Sequence, residues 1–157
     1  MLVRLALESD EDTFVYLSKM AVEESAPHVG FSDAKVRETF KKYLVTANPT
    51  IFLADHMNDV VGFLLATMSG YRFADGLFTT QEVLFVRPDK RGTRAAALLV
   101  GDFVAWSDRL GAIENTGGND NRLFTETTAK LLKRYGFEQV GVFMRRIGSA
   151  ESGEKGR

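Results

Sequence analysis

Residues 82–99 read EVLFVRPDKRGTRAAALL, and the parsing of this stretch decides the fold. Glu82 to Val86 ends a strand-like apolar run that begins at Leu77, and Pro88 stops it because proline has no N–H for a ladder. Past Gly92 the hydrophobic period changes from two to about 3.6. Leu99, Phe103, Trp106 and Leu110 are spaced to share one helical face, which Gly111 closes. A strand therefore runs through a short basic loop into a helix that opens on three alanines. The N–H groups of a helix's first turn lack intrahelical partners and point outward with the positive end of the dipole, so this junction suits an anion. Small side chains let a diphosphate reach the backbone, and Arg87, Lys90, Arg91 and Arg94 add positive charge. A solvated basic loop before an ordinary amphipathic helix is the competing reading.

Upstream, Val3 to Leu7 reads as a strand, and Ser9 to Asp12 as the capping cluster of a first helix carrying Phe14, Leu17 and Val22. The segment AVEESAPHVGFSD leads to a second helix over Ala34 to Val45, ended by Pro49. Thr50 to Ala54, Val60 to Ser69 and Leu77 to Val86 are rich in apolar and β-branched residues. They predict consecutive antiparallel strands with turns at Asn58-Asp59 and Asp75-Gly76. Downstream, Ala112-Ile113 suggests a brief strand and GGNDN a loop. Phe124, Thr128, Leu131 and Tyr135 mark a final helix with Gly136 as its C-cap, and Glu138 to Ile147 a last strand. The order is β-α-α-β-β-β-α-β-α-β. It predicts one α/β (α+β mixed) domain over 1–147, with a mixed, mostly antiparallel central sheet and flanking helices. The polar, glycine-rich stretch 148–157 is expected to be a disordered tail.

With 157 residues and 45% hydrophobic content the chain can bury one sizeable core. Its 20 basic and 21 acidic side chains give a net charge of -1, so no global field favours nucleic acid or an anionic membrane. Any anion must be gripped locally. The absence of cysteine removes disulfides, a Cys-based zinc site and a thiol nucleophile. No apolar run has the length of a signal or a membrane span, which makes a cytoplasmic protein the expectation. His28 and His56 lack the spacing of metal ligands or of a triad, so no metal site is expected.

The 82–99 stretch resembles motif A of the GCN5-related N-acetyltransferase (GNAT) family, in which a strand ending near V-x-P-E leads into R-G-x-G-x-G/A and a helix. Pro88-Asp89 fall on the Pro-Glu pair, Arg91-Gly92 on Arg-Gly, Arg94 on the middle glycine and Ala96 on the last Gly/Ala. The second glycine is replaced. LLKRYGFEQVGVFMRR is similar to the family's final helix, its Gly-Phe ending and its last strand, and the element order corresponds from Val3 to Ile147.

The resemblance implies an acyl-CoA-dependent N-acetyltransferase with acetyl-CoA as cofactor. It implies that the pantetheine arm bonds the strand backbone at Phe85 and Val86, and that the amides of Arg91, Gly92, Thr93, Arg94, Ala95 and Ala96 take the diphosphate. Glu82 resembles the glutamate that serves some members as base, and a strand glutamate at a sheet edge is its plainer reading. Leu132 stands where many relatives carry a proton-donating tyrosine, and it cannot donate. Tyr135 reads as a core residue by its spacing. Glu23, Glu24, His28 and Asp33, between the first two helices, lie by position on the acceptor side, where acids favour a cationic amine. The expected partner is a small-molecule or protein amine, with a homodimer allowed for and neither nucleic acid nor membrane involved. A non-catalytic CoA-binding regulatory module of the same fold is the alternative, and an interaction protein without CoA a third reading.

Overall fold

The computed structural model describes residues 1–46, 48, 50–119 and 121–149. Pro49, expected to end the second helix, and residues 150–157 of the expected tail lie outside the described residues. In chain order the elements are β1 (Leu2–Leu5), α1 (Glu11–Ser25), α2 (Asp33–Thr46), β2 (Thr50–His56), β3 (Asp59–Gly70), β4 (Leu77–Val86), α3 (Ala95–Arg109), β5 (Glu114–Thr116) and α4 (Thr125–Arg134). Single 3-10 turns at Glu8–Asp10 and Pro88–Lys90 precede α1 and follow β4. The five strands form one sheet in the order β1-β2-β3-β4-β5. The first three pairings are antiparallel, and β4 with β5 is parallel.

Helices cover both faces of this sheet, so its central strands read as continuous apolar runs. The two-residue period of β2 sorts its side chains between two cores. Ile51 and Leu53 meet Phe14, Leu17 and Phe40 of α1 and α2. Phe52 and Ala54 meet Leu99, Val100 and Phe103 of α3 and Leu132 of α4. A bulge in β3 passes Ala54↔Gly62 to Asp55↔Val60 and leaves Val61 without an opposite residue. Gly62 lies hard against the end of β4, where an added Cβ would stand 2.6 Å from the Phe85 carbonyl oxygen. Arg4 ties β1 to both neighbours, with Nη1 2.8 Å from Asp10 and Nε 3.0 Å from Asp55.

Four expectations need correction. The first hairpin turns on Met57 and Asn58, both at positive φ, so Asp59 already belongs to β3. The second hairpin link is longer than Asp75-Gly76 and runs from Tyr71 to Gly76. The short strand after α3 is Glu114–Thr116 and not Ala112-Ile113, because Gly111 at φ 73 and the amide of Ile113 on the Leu77 carbonyl use these residues to enter the sheet. The last strand is absent: residues 138–147 lie in no ladder, and Val140, Val142, Phe143 and Met144 are exposed. A strand needs a partner as well as a pattern, and among the described residues this segment pairs with none.

Candidate functional site

Parallel pairing between β4 and β5 covers only Phe78↔Glu114, Thr79↔Asn115 and Thr80↔Thr116. Hydroxyls lock this short ladder. Thr79 Oγ1 and Ser107 Oγ of α3 are 2.6 Å apart and buried, Asn115 Nδ2 donates to Thr79 Oγ1 at 3.2 Å, and Thr80 and Thr116 bond at 2.9 Å. Beyond Thr80 the strands part, and no described residue of β5 pairs with β4 from Gln81 to Val86, where Arg91 Nε takes the Val86 carbonyl instead.

A second bulge lies at the same point. Leu65 pairs Val83 and Ala66 pairs Gln81, so Glu82 is the extra residue of β4. Bulges re-aim side chains. Glu82 is exposed and accepts a hydrogen bond from Thr67 Oγ1 at 3.0 Å. Tyr43 of α2 is close enough to feel its charge: burial, and then the Glu82 carboxylate, push the phenol above its usual pKa and keep it protonated. The sequence offered no signal for Thr67, which is brought to Glu82 by the β3–β4 register. Next to Glu82, the Gln81 carboxamide turns inward. Its Oε1 is buried without a hydrogen-bond partner and lies 2.9 Å from where a Cβ on Gly117 would sit.

Past Val86 the chain builds the junction expected from the sequence. Gly92 adopts φ 84, with open space around a would-be Cβ, so its glycine answers a backbone requirement. Thr93 Oγ1 donates to the Lys90 carbonyl at 2.7 Å and accepts from the Ala95 amide at 3.3 Å, capping the start of α3. The first α-helical bond outside the cap runs from the Leu98 amide to the Arg94 carbonyl, which leaves the amides of Ala96 and Ala97 without intrahelical partners. Arg94 is exposed at this end.

Two of the four basic side chains are engaged elsewhere. Arg87 bonds Asp59 at 2.9 Å and Asp89 at 2.6 Å, bracing the loop against the β2–β3 turn. Arg91 folds back: Nε donates to the Val86 carbonyl at 3.0 Å and Nη2 reaches both oxygens of Glu24 at 2.7 and 2.9 Å. Its guanidinium lies between the rings of Phe85 and Phe124, 5.6 and 4.9 Å from their centroids. The Arg91 side chain thus closes the far end of the parted strands against α1, a direction that spacing does not encode. Glu24 is consumed by this pair and Asp33 by Arg37 at 2.7 Å, which leaves Glu23 as the freer acid of the expected acceptor side.

Leu132 is buried, packed in the core shared with Leu99 and Phe103. A side chain here packs into a core that Val86 and Leu84 of β4 share. Tyr135 takes the core role read from its spacing, with its hydroxyl donating to the Ala97 carbonyl at 2.6 Å and its ring against Gly101. His28 lies between α1 and α2, His56 stands opposite Asp59, the partner of Arg87, in the β2–β3 register, and among the described residues no set of three or more His, Asp or Glu could hold a metal ion.

A mixed sheet whose fourth strand parts from a parallel fifth and runs through a glycine-bearing loop into a helix has close structural counterparts. A probable acetyltransferase superposes with a TM-score of 0.77 at 16% identity, over 95% of this chain and 99% of that one. The fold is that of the GNAT acetyltransferases. AAC(6')-Iy, solved with the bisubstrate analogue CoA-S-monomethyl-acetylneamine, matches with a TM-score of 0.72 at 19% identity, over 93% of this chain and 97% of its own. A predicted acetyltransferase from Clostridium acetobutylicum, solved with acetyl-CoA, gives 0.71 at 13% identity, over 92% and 94%. No protein-family model and no curated protein matches the sequence. Among the described residues no helix is long and apolar enough to cross a membrane. The GNAT fold thus accounts for the architecture, and the chemistry rests on the residues that line the parted strands.

Proposed function

We propose that the protein moves an acetyl or other short acyl group from acyl-CoA to a primary amine of a small molecule or protein in the cytoplasm. One observation carries the reading: the edge of β4 that β5 leaves unpaired after Thr80 leads directly to the amides of Ala96 and Ala97 at the start of α3. An amide-bearing arm with a diphosphate at one end matches that sequence of groups. In this reading the arm also supplies an N–H to the Oε1 of Gln81, which is buried with no partner among the described residues.

In this reading the backbone of Phe85 and Val86 holds the pantetheine amides. Gly92, Thr93, Arg94, Ala95 and Ala96 offer their amides to the diphosphate, with Arg94 covering it, and those of Thr93 and Ala95 exchange their present bonds to the Lys90 carbonyl at 3.4 Å and to Thr93 Oγ1 at 3.3 Å. The Arg91 amide, bonded to the Pro88 carbonyl at 3.4 Å, turns to the ligand only by giving up that contact, while its side chain braces Val86 and Glu24 at the rim. Acyl-CoA supplies the acyl group as a thioester, whose sulfur leaves as a tolerable thiolate. Attack requires a neutral amine, although alkylamines are mostly protonated near neutral pH. Glu82, aimed by its bulge and held by Thr67, takes the amine's proton directly or through water. Tyr43, kept protonated by burial and by the Glu82 charge, is a phenol able to donate.

A second reading, a CoA-binding module without turnover, is favoured by Leu132, which puts an inert side chain in the core. Release of free thiol from acetyl-CoA across a panel of amines separates the two. Turnover above the hydrolysis background with at least one amine is the expected result. CoA that raises the melting temperature without any thiol release supports the module, and CoA without effect on melting refutes both.

A further inference from the structure

The mouth of the parted strands is closed by a side chain of the basic loop itself. The Arg87 amide donates to the Val61 carbonyl of β3 at 2.8 Å, and along a strand each carbonyl points away from the amide that follows it. The Val86 carbonyl therefore faces the side from which β5 has parted. Arg91 Nε holds that oxygen at 3.0 Å, so the guanidinium lies in the gap in front of it. Nη2 meets both Glu24 oxygens at 2.7 and 2.9 Å, and the rings of Phe85 and Phe124 lie 5.6 and 4.9 Å from the guanidinium carbon. End of β4, end of α1 and start of α4 thus meet on one cation. Phe124 sits at φ 54, a left-handed conformation that bulky side chains rarely adopt, so its ring is held over Arg91 against backbone strain.

This arrangement satisfies a carbonyl that the parting of β5 would otherwise leave without a partner. It also obstructs a ligand. In the acyl-transfer reading, on which this inference rests, an amide-bearing arm enters the same gap and brings an N–H to the same oxygen. A carbonyl can accept two hydrogen bonds, but the pair with Glu24 and the two ring contacts keep the guanidinium in the space from which the arm approaches.

We propose that Arg91 and Glu24 form an autoinhibitory latch: in the free protein the guanidinium stands in for the cofactor arm at Val86, and acyl-CoA enters by displacing it. The pair has a strength suited to exchange. Both side chains are 29% exposed, which makes it a partly hydrated ion pair and not a buried one. The ligand brings the replacement partner, because a phosphate takes the fork of an arginine as a carboxylate does.

Two measurements on the full chain test the latch. In calorimetry with CoA, Glu24→Gln removes the carboxylate that holds the latch shut, so CoA should bind about two- to fivefold more tightly than to the parent. A simple brace predicts the opposite sign, since its loss loosens the site, and unchanged or weaker binding overturns the latch. Glu23→Gln makes the same charge change one residue away, and an equal gain there assigns the effect to overall charge and overturns it as well. In proton–nitrogen correlation spectra, the Arg91 Nε–H signal, assigned by its loss in Arg91→Lys, should be protected from water exchange in the free protein. Saturation with CoA should remove that protection, and Glu24→Gln should remove it without CoA. A signal that stays protected in the CoA-saturated protein means that arm and guanidinium share Val86, which refutes displacement and leaves the acyl-transfer reading standing. Absence of CoA binding to both the parent and Glu24→Gln refutes that reading and the latch with it.

Discussion

Gln81→Met tests the parted strands from the stability side and the ligand side at once. Gln81 is 7% exposed, and its Oε1 has no partner where β4 leaves β5. Leaving a buried polar acceptor unpaired costs about 1–3 kcal/mol, and methionine fills nearly the same volume without one. The unliganded variant should therefore be more stable than the parent by ~1–3 kcal/mol, which at this chain length raises Tm by roughly 2–4 °C per kcal/mol. The proposed ligand arm supplies the missing N–H, a neutral bond worth about 0.5–1.5 kcal/mol, so CoA should bind ~2–12-fold more weakly to the variant. Urea titration and calorimetry with CoA measure the two effects on one preparation. A variant less stable than the parent refutes the orphaned acceptor. A more stable variant that binds CoA with unchanged affinity refutes its role toward the ligand.

Three further outcomes follow from the geometry. Glu82→Gln keeps the acceptor for Thr67 but not the base, so kcat/KM should fall about a hundredfold or more with loss of the rising limb of the pH profile, while CoA affinity is retained; full turnover assigns the base elsewhere. Leu132→Tyr overpacks the core under α3 and α4 and should cost ~1–3 kcal/mol in urea titration without a gain in turnover; faster turnover would mean the position reaches the reacting atoms. Hydrogen bonding from Arg4 holds the Asp10 carboxyl below its ordinary value. Its contribution to stability is therefore present above the unfolded carboxylate value of about 3.9 and lost as pH falls through the folded one. Arg4→Gln should cost about 1.5–3 kcal/mol near neutral pH and flatten the acid limb of a stability-against-pH curve, and an unchanged limb rejects this origin.

The element plan was legible because its signals are local. Period, proline and glycine identify β4, the loop and α3 within a few turns of chain, and the GNAT resemblance rests on that same stretch. The candidate cofactor loop was equally readable in backbone terms, with Gly92 at positive φ and Thr93 capping α3. Side-chain direction was not. Arg91 reads as a phosphate ligand in sequence but turns inward because Glu24, a distant residue on α1, stands opposite the Val86 carbonyl. Glu82 could be placed on a strand, but its exposure depends on a bulge set by how β3 and β4 pair.

By itself the sequence determined the four helices and the first four strands to within a few residues at their ends, the two apolar faces of the sheet, and the basic turn before α3, since each follows from neighbours along the chain; the short fifth strand was misplaced. Tertiary structure alone decided that β4 and β5 part after Thr80, that Gln81 is left without a partner, and that Leu132 faces the core. It also decided that a strand-patterned segment from Glu138 to Ile147 pairs with no described strand. The reason is common to all four: hydrogen-bond satisfaction and burial depend on which groups meet across long sequence separations, and no local pattern states that.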